Sequence, residues 1–214
     1  MGRAPGVCGV ILAAGASSRM GRDKALLPWP PNDAGAGTFL SAGIRLLTSQ
    51  TDLVIVVAGA NAARLAPIVY AEGAFLVENP QPELGQFNSL RVGLREILNR
   101  GRDAAAITLV DRPAVRPETL QALLTAFTSA VERRFWAVVP EFEGKHGHPI
   151  VVGREMIEAF LRAPADSNAR EVRRAHQDLI ADVPVDDPLV TMNVDTPEEY
   201  AALAASTSSG TFKS

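Results

Sequence analysis

VCGVILAAGASSRMGRDKALLP, residues 7–28, is the stretch from which the rest of the chain is read. Val7, Val10, Ile11 and Leu12 form a short apolar run rich in β-branched residues, the pattern of a strand buried on both faces. The run enters Ala13, Ala14 and Gly15, whose side chains are too small to block an approaching ligand. Gly15 and Gly21 bracket a loop holding Ser17, Ser18 and Arg19, so the backbone can turn sharply and present N–H groups to an anion. Arg19, Arg22 and Lys24 place positive charge at the same point. Such a loop at the carboxyl end of a first strand is a candidate nucleotide-phosphate site. An ordinary strand-to-helix turn with solvated basic residues is the other reading of these residues alone.

Two common phosphate loops are excluded. The dinucleotide fingerprint G-x-G-x-x-G fails because Ala16 and Ser17 follow Gly15. The Walker pattern fails because five residues separate Gly15 from Gly21 and Arg22 follows. A dinucleotide-dependent oxidoreductase is thereby left with only the α/β pattern in its favour.

Downstream, apolar runs at Asp52–Gly59, Ala74–Val77 and Ala104–Val110 read as further strands. Helical patterns lie between them: one capped by Thr38, one opened by Asn61 and limited or bent by Pro67, and one carrying Leu90, Leu94, Ile97 and Leu98. Gly93 inside the last costs about 1 kcal/mol against alanine, which close packing or ligand approach would explain. Pro117 begins another helix. Alternating strands and helices predict right-handed crossovers and a parallel sheet. Trp136–Val139 and Pro149–Val152, around a Gly-containing loop, predict an antiparallel excursion. Helices near 155–161 and 169–177 follow, then two short strands in IADVPV and PLVTMNV. Asp186 and Asp187 read as solvated loop charges. Thr196, Pro197, Glu198 and Glu199 form a capping box that starts a last helix. The expected organisation is one domain over 7–205 and a disordered tail over 206–214.

The 214 residues are 47% hydrophobic and 21% charged with a formal charge of −3, a balance that gives no reason to expect nucleic acid or a membrane surface as partner. One cysteine, Cys8, excludes an internal disulfide, and its place in the first apolar run marks a buried, inert thiol. No apolar run approaches the ~20 residues of a membrane span. The N-terminal MGRAPGVCGV lacks an apolar signal region, so a cytoplasmic protein is expected. Ligands of open α/β sheets collect beyond the carboxyl ends of strands, where Gly15, Asp111 and Asp195 all fall. From residue chemistry alone, Asp111 is either a metal ligand or a turn former before Pro113. Asp195 is either a second ligand or a charge at a helix N-terminus. His146 and His148 lack the further ligands of a closed zinc site.

LAAGASSRMGRDKALLP resembles the signature L-A-[AG]-G-x-S-x-R-M-G-x-x-K of nucleotidyltransferases akin to the molybdenum cofactor enzymes, whose fold is a Rossmann-like three-layer α/β/α domain with a mostly parallel sheet. Ala14 stands where guanylyl-transferring members carry glycine, so the resemblance is nearer to the cytidylyl-transferring ones. It implies transfer of CMP from CTP to the terminal phosphate of molybdopterin, with release of pyrophosphate and with a molybdenum hydroxylase as recipient of the product. By the same resemblance Leu12, Ala13, Ala14, Gly15, Ser17, Ser18, Arg19, Gly21 and Lys24 hold the nucleotide, and Gly85 and Ser89 of GQFNSL meet its base. LVDRPAV matches the family's G-D-x-P segment with Val110 in place of glycine, and NVDTPEEY matches [ND]-x-[ND]-T-P-E-[DE]. These matches make Asp111 and Asp195 the expected Mg²⁺ ligands, with Asn193 competing for the second role. Arg19, Lys24 and Asp111 are expected to carry the chemistry. GHPI matches a G-[HN]-P loop, which puts His148 and Pro149 on the acceptor side. Transfer from GTP or to another phosphorylated acceptor, and a non-catalytic nucleotide sensor, are the alternatives.

Overall fold

The computed structural model describes residues 6–208 apart from 16, 32 and 34, with the backbone alone at 207 and 208. β1 (Val7–Leu12) is buried along its whole length between β2 (Val54–Ala58) and β4 (Ala104–Leu109), both parallel to it. β3 (Phe75–Glu78) adds to β2 in parallel and forms an edge. The apolar runs have this location because they pair through both edges and are covered on both faces. The antiparallel excursion is β5 (Ala137–Phe142), β6 (Lys145–His146) and β7 (Ile150–Gly153), with β7 running antiparallel between β4 and β5. From the Glu141–His146 pair to the Val138–Val151 pair, β5 moves three residues and its partner side five, so two extra residues bulge at Gly147–Pro149. β8 (Ile180–Pro184) pairs β5 in parallel.

α1 (Phe39–Thr48), α2 (Ala62–Ala71) and α4 (Pro117–Glu132) cover one face of the sheet. α3 (Gln86–Asn99), α5 (Arg154–Arg162) and α6 (Ala169–Ala175) cover the other, which makes the three layers expected of the α/β, Rossmann-like class. Thr38 caps α1 in a reciprocal box with Ser41, and α7 (Pro197–Ser208) opens on the box between Thr196 and Glu199. Gly93 packs α3 against the sheet: a Cβ there would stand 2.9 Å from Val57 Cγ2 and 3.0 Å from Val10 Cγ1. Cys8 is fully buried, and that burial pushes its thiol pKa up to about 11. Among the described residues no helix is long and apolar enough to cross a membrane.

Two expectations are corrected. PLVTMNV is not a strand: Pro188–Val190 is a 3-10 turn whose cap is Asp187, since Pro188 has no N–H for a ladder. Asp187 is not solvated but fully buried; its carboxylate accepts from Arg116 N at 2.9 Å, Thr119 Oγ1 at 2.8 Å and Leu189 N at 3.1 Å. Asp186 is exposed as expected. The tail expected from Ser206 has its first three residues in α7, and residues 209–214 lie outside those described, as do 1–5 of the N-terminal stretch.

Candidate active site

The loop leaving β1 is held from three sides. Ser17 adopts a left-handed φ of 50°, and its Oγ accepts the Lys24 N–H at 3.2 Å. Gly21, with φ 71°, takes the second left-handed position, which only a glycine occupies without cost. Lys24–Leu26 is a single 3-10 turn in place of a full helix, capped by Asp23 Oδ1 on the Ala25 N–H. The third support comes from Asn61, which precedes α2 without capping it. Its Nδ2 donates to Ala13 O at 3.0 Å and Asp23 Oδ2 at 2.9 Å, and its Oδ1 accepts from Gly59 N at 3.1 Å. Asn61 thus clamps the end of β1, the end of β2 and the start of the turn.

A cleft of about 780 Å³ opens over this loop. Leu12, Ala14, Gly15, Ser17, Ser18, Gly21, Gly85 and Ser89 line it, together with Arg22, Asp23, Asn61, Arg64, Pro82, Glu83 and Gln86. Ala13 instead turns its side chain into the core. Ser89 is buried in α3, where its Oγ accepts from Asn79 Nδ2 at 3.0 Å; the Asn79 carbonyl oxygen in turn accepts from Gln81 N and Asn88 Nδ2. Gly85 leads into α3 with φ 88°.

Lys24 carries the second half of the site. Its largely buried ammonium bridges Asp111 Oδ2, at 3.4 Å, and Asp195 Oδ1. Asp111 stands just past β4, and its carbonyl accepts the Val194 N–H at 2.9 Å, which docks the segment carrying Asp195. Asp195 also pairs with Arg19 at 3.0 Å and accepts from Asn193 Nδ2 at 2.8 Å. Lys24, foremost through its hydrogen bond, holds the Asp195 carboxyl below the usual range. Asn193 orients Asp195 through that amide. Asp111 Oδ1 is buried with no partner. A carboxylate oxygen left so, beside a second carboxylate, is the donor set a divalent cation takes, so the residues fit Mg²⁺.

The G-H-P segment lies elsewhere in the wall. His148 donates its main-chain N–H to Val190 O at 2.8 Å, follows a glycine that no Cβ could replace (2.2 Å from Val190 O) and precedes a cis Pro149. Neither His148 nor Pro149 lines the main cleft; Pro149 borders a small cavity with Val110 and Arg112. Burial, then the fields of Arg112 and Arg173, push the His148 imidazole down to about 3. Glu141, His146 and Asp182 form a separate ligand-type cluster on the β5–β6–β8 edge, largely exposed, with His146 Nε2 3.0 Å from Asp182 Oδ1.

Sequence reasoning missed Asn61, Arg64 and Asn79 as members of the site. The rule that found Gly15 and Asp111 reaches them too, since all three follow the carboxyl end of β2 or β3.

Residues 9–183 match the family described as MobA-like NTP transferase domain. A probable molybdenum cofactor guanylyltransferase of Rhodopirellula baltica is 34% identical over 123 residues, 58% of this chain and 56% of that protein, so the chain spans little more than half the length of that relative. Molybdenum cofactor cytidylyltransferase of Escherichia coli is 24% identical over 195 residues, 89% of this chain and 92% of that one. The crystal structure of an Rv0371c homolog from Mycobacterium sp. strain JC1 superposes with TM-score 0.76 at 26% identity, over 97% of this chain and 98% of the other. With the small-residue loop, the carboxylates and the three-layer sheet in place, the chain belongs to the MobA-like NTP transferase family.

Proposed function

We propose that the protein moves a nucleoside monophosphate, CMP from CTP, onto the terminal phosphate of molybdopterin with release of pyrophosphate. The observation that carries this reading is the meeting of Lys24, Asp111 and Asp195, from three distant segments, beside a small-residue loop open to a large cleft. The acceptor phosphate is already ionised near neutral pH, so its oxygen attacks the α-phosphorus, the bond to the bridging oxygen breaks and pyrophosphate leaves without a strong general base. Asp111 and Asp195 would hold Mg²⁺, which neutralises triphosphate charge. Lys24, whose two carboxylate partners serve that cation, is then free to meet phosphate oxygens, as is Arg19 with its exposed fork. Ser89, fixed by Asn79, and Gly85 face the base. The preference for CTP rests on Ala14, which lines the cleft at the position where guanylyl-transferring members carry glycine. The acceptor assignment rests on the family, as do a molybdenum hydroxylase as recipient and a cytoplasmic site of action.

The guanylyltransferase among the relatives makes GTP the second reading. Pyrophosphate release measured with each NTP, Mg²⁺ and molybdopterin tests both. CTP-dependent release that disappears in Asp111→Ala, with cooperative unfolding retained, is expected. Release with GTP alone overturns the base assignment, release only with an unrelated acceptor overturns the substrate, and NTP binding without any release leaves a sensor.

A further inference from the structure

At the end of the sheet away from β3, three strands bring together groups that the transfer site does not use. Glu141 pairs with His146 across the β5–β6 ladder. Asp182 of β8 pairs with Val139, two residues before Glu141, so the three side chains share one face of the sheet. Their ligand atoms all lie within 4.8 Å of one another. His146 Nε2 stands 3.0 Å from Asp182 Oδ1 and 3.9 Å from Glu141 Oε2. Ligands held at about 2.1 Å by a tetrahedral cation stand about 3.4 Å apart, between those two distances. Small side-chain rotations therefore close the triad on an ion. His146 reads in the sequence as short of ligands because Asp182 arrives from a distant strand.

The backbone holds this placement. Glu143 and Gly144, with left-handed φ of 49° and 73°, make the two-residue connection of a tight hairpin, closed by the Phe142–Lys145 pair. Lys145 thereby points to the face opposite His146. Among the described residues no lysine or arginine stands within ion-pair distance of Glu141 or Asp182; His146 is their partner. Other partly exposed carboxylates do have a guanidinium: Glu72 has Arg45, Asp103 has Arg154 and Glu158 has Arg162. Two carboxylates beside a neutral imidazole carry the charge that one divalent cation balances. Three protein ligands leave a fourth position to water. The imidazole nitrogen selects Zn²⁺ over Mg²⁺, which prefers oxygen donors and keeps its waters.

We propose that Glu141, His146 and Asp182 form a second cation site, distinct from Asp111 and Asp195, that takes Zn²⁺ and staples β6 and β8 to β5. β6 is only two residues long and β8 pairs with β5 alone, so each has few ladder bonds of its own. β6 runs straight into Gly147 and His148. β8 leads, by way of a Val185 N–H that meets Glu141 O at 3.0 Å, into the segment from Asp187 to Asp195. The two paths meet at Val190 O, which accepts the His148 N–H. An ion at the triad fixes the start of both. The site does not depend on the transfer reading.

The test takes the full chain, stripped of metal and then held in excess Mg²⁺, and titrates it with Zn²⁺ in a calorimeter. One ion per chain with a micromolar Kd is expected. His146→Gln and Asp182→Asn should each weaken binding by at least about 10- to 100-fold, since losing even the outer partner of a metal ligand costs that much. Asp195→Asn should leave the Kd for Zn²⁺ unchanged. Saturating Zn²⁺ should raise the urea midpoint of the unaltered chain and not that of His146→Gln, while without metal the two unfold alike. Binding weakened by Asp195→Asn and not by His146→Gln would assign the ion to Asp111 and Asp195 and overturn the proposal. Binding only at millimolar Zn²⁺, or equal affinity in every variant, would overturn it as well.

Discussion

Lys24 shows how much one side chain can be asked to do. A buried ammonium shared by two carboxylates stabilises both, and in the proposed transfer it is the group that meets charge growing on the α-phosphoryl oxygens. Lys24→Ala should therefore lower kcat by roughly a hundred- to thousandfold while changing the NTP KM by a smaller factor. Steady-state kinetics decide: a change in KM alone would make the lysine a ground-state anchor. His148 makes a different prediction. Its folded pKa of about 3 lies below the ordinary value of 6.5, so between these limits the unfolded chain binds the extra proton and stability rises with pH. The contribution is complete above about pH 6.5 and is lost as pH falls, by up to about 1.4 kcal/mol per unit. His148→Asn should flatten this acid slope in urea unfolding at several pH values, and parallel slopes for the two proteins would contradict the burial of the imidazole.

At the scale of elements, the site depends on how closely α3 lies on the sheet, since this helix presents Ser89 and begins at Gly85. Gly93→Ala gains about 1 kcal/mol of helix propensity. The added Cβ must displace Val57 or Val10, both fully buried and β-branched. Overpacking of this kind costs about 1–3 kcal/mol, so the variant should be net destabilised. A raised Tm would mean that the helix shifts outward freely. Much at this scale was legible in the sequence. Thr38 and the Thr196 box cap where expected, because a cap is a contact between residues three apart, and Pro117 stands first in α4 because its fixed φ suits that position. The turn at Pro188 was not, because Leu189 and Val190 are apolar enough for a strand and the buried Asp187 cap that joins Pro188 in selecting the turn depends on tertiary burial.

Across the whole molecule, the segment from Asp187 to Asp195 joins parts that nothing local relates. Asp187 ties the start of α4 to the 188–190 turn, Val190 O receives both His148 N–H and Arg112, and Val194 N–H meets Asp111 O. Replacing Asp187 by Ala leaves buried donors at Arg116, Thr119 and Leu189 without an acceptor. A loss of about 3 kcal/mol or more is expected in urea unfolding. Because the same segment carries Asp195, which pairs with Arg19 and Lys24 of the loop over β1, NTP binding should weaken too in the folded fraction. An unchanged NTP Kd, read by titration of the folded variant, would show that Asp195 keeps its place without Asp187.

The sequence by itself determined the strands and helices up to β8, the α/β class and the small-residue cationic loop, since each is written in residues a few positions apart. It also nominated Asp111 and Asp195 through position after an apolar run and through motif. Only the tertiary structure decided that Lys24 stands between them, across separations of 87 and 171 residues. The same holds for Asn61 clamping two strand ends and for Val190 O receiving both the His148 N–H and Arg112. The physical reason is that strand order in a parallel sheet follows from crossovers and register, not from neighbouring residues. Propensity and periodicity describe a residue's surroundings along the chain, whereas charge pairing and desolvation depend on what arrives through space.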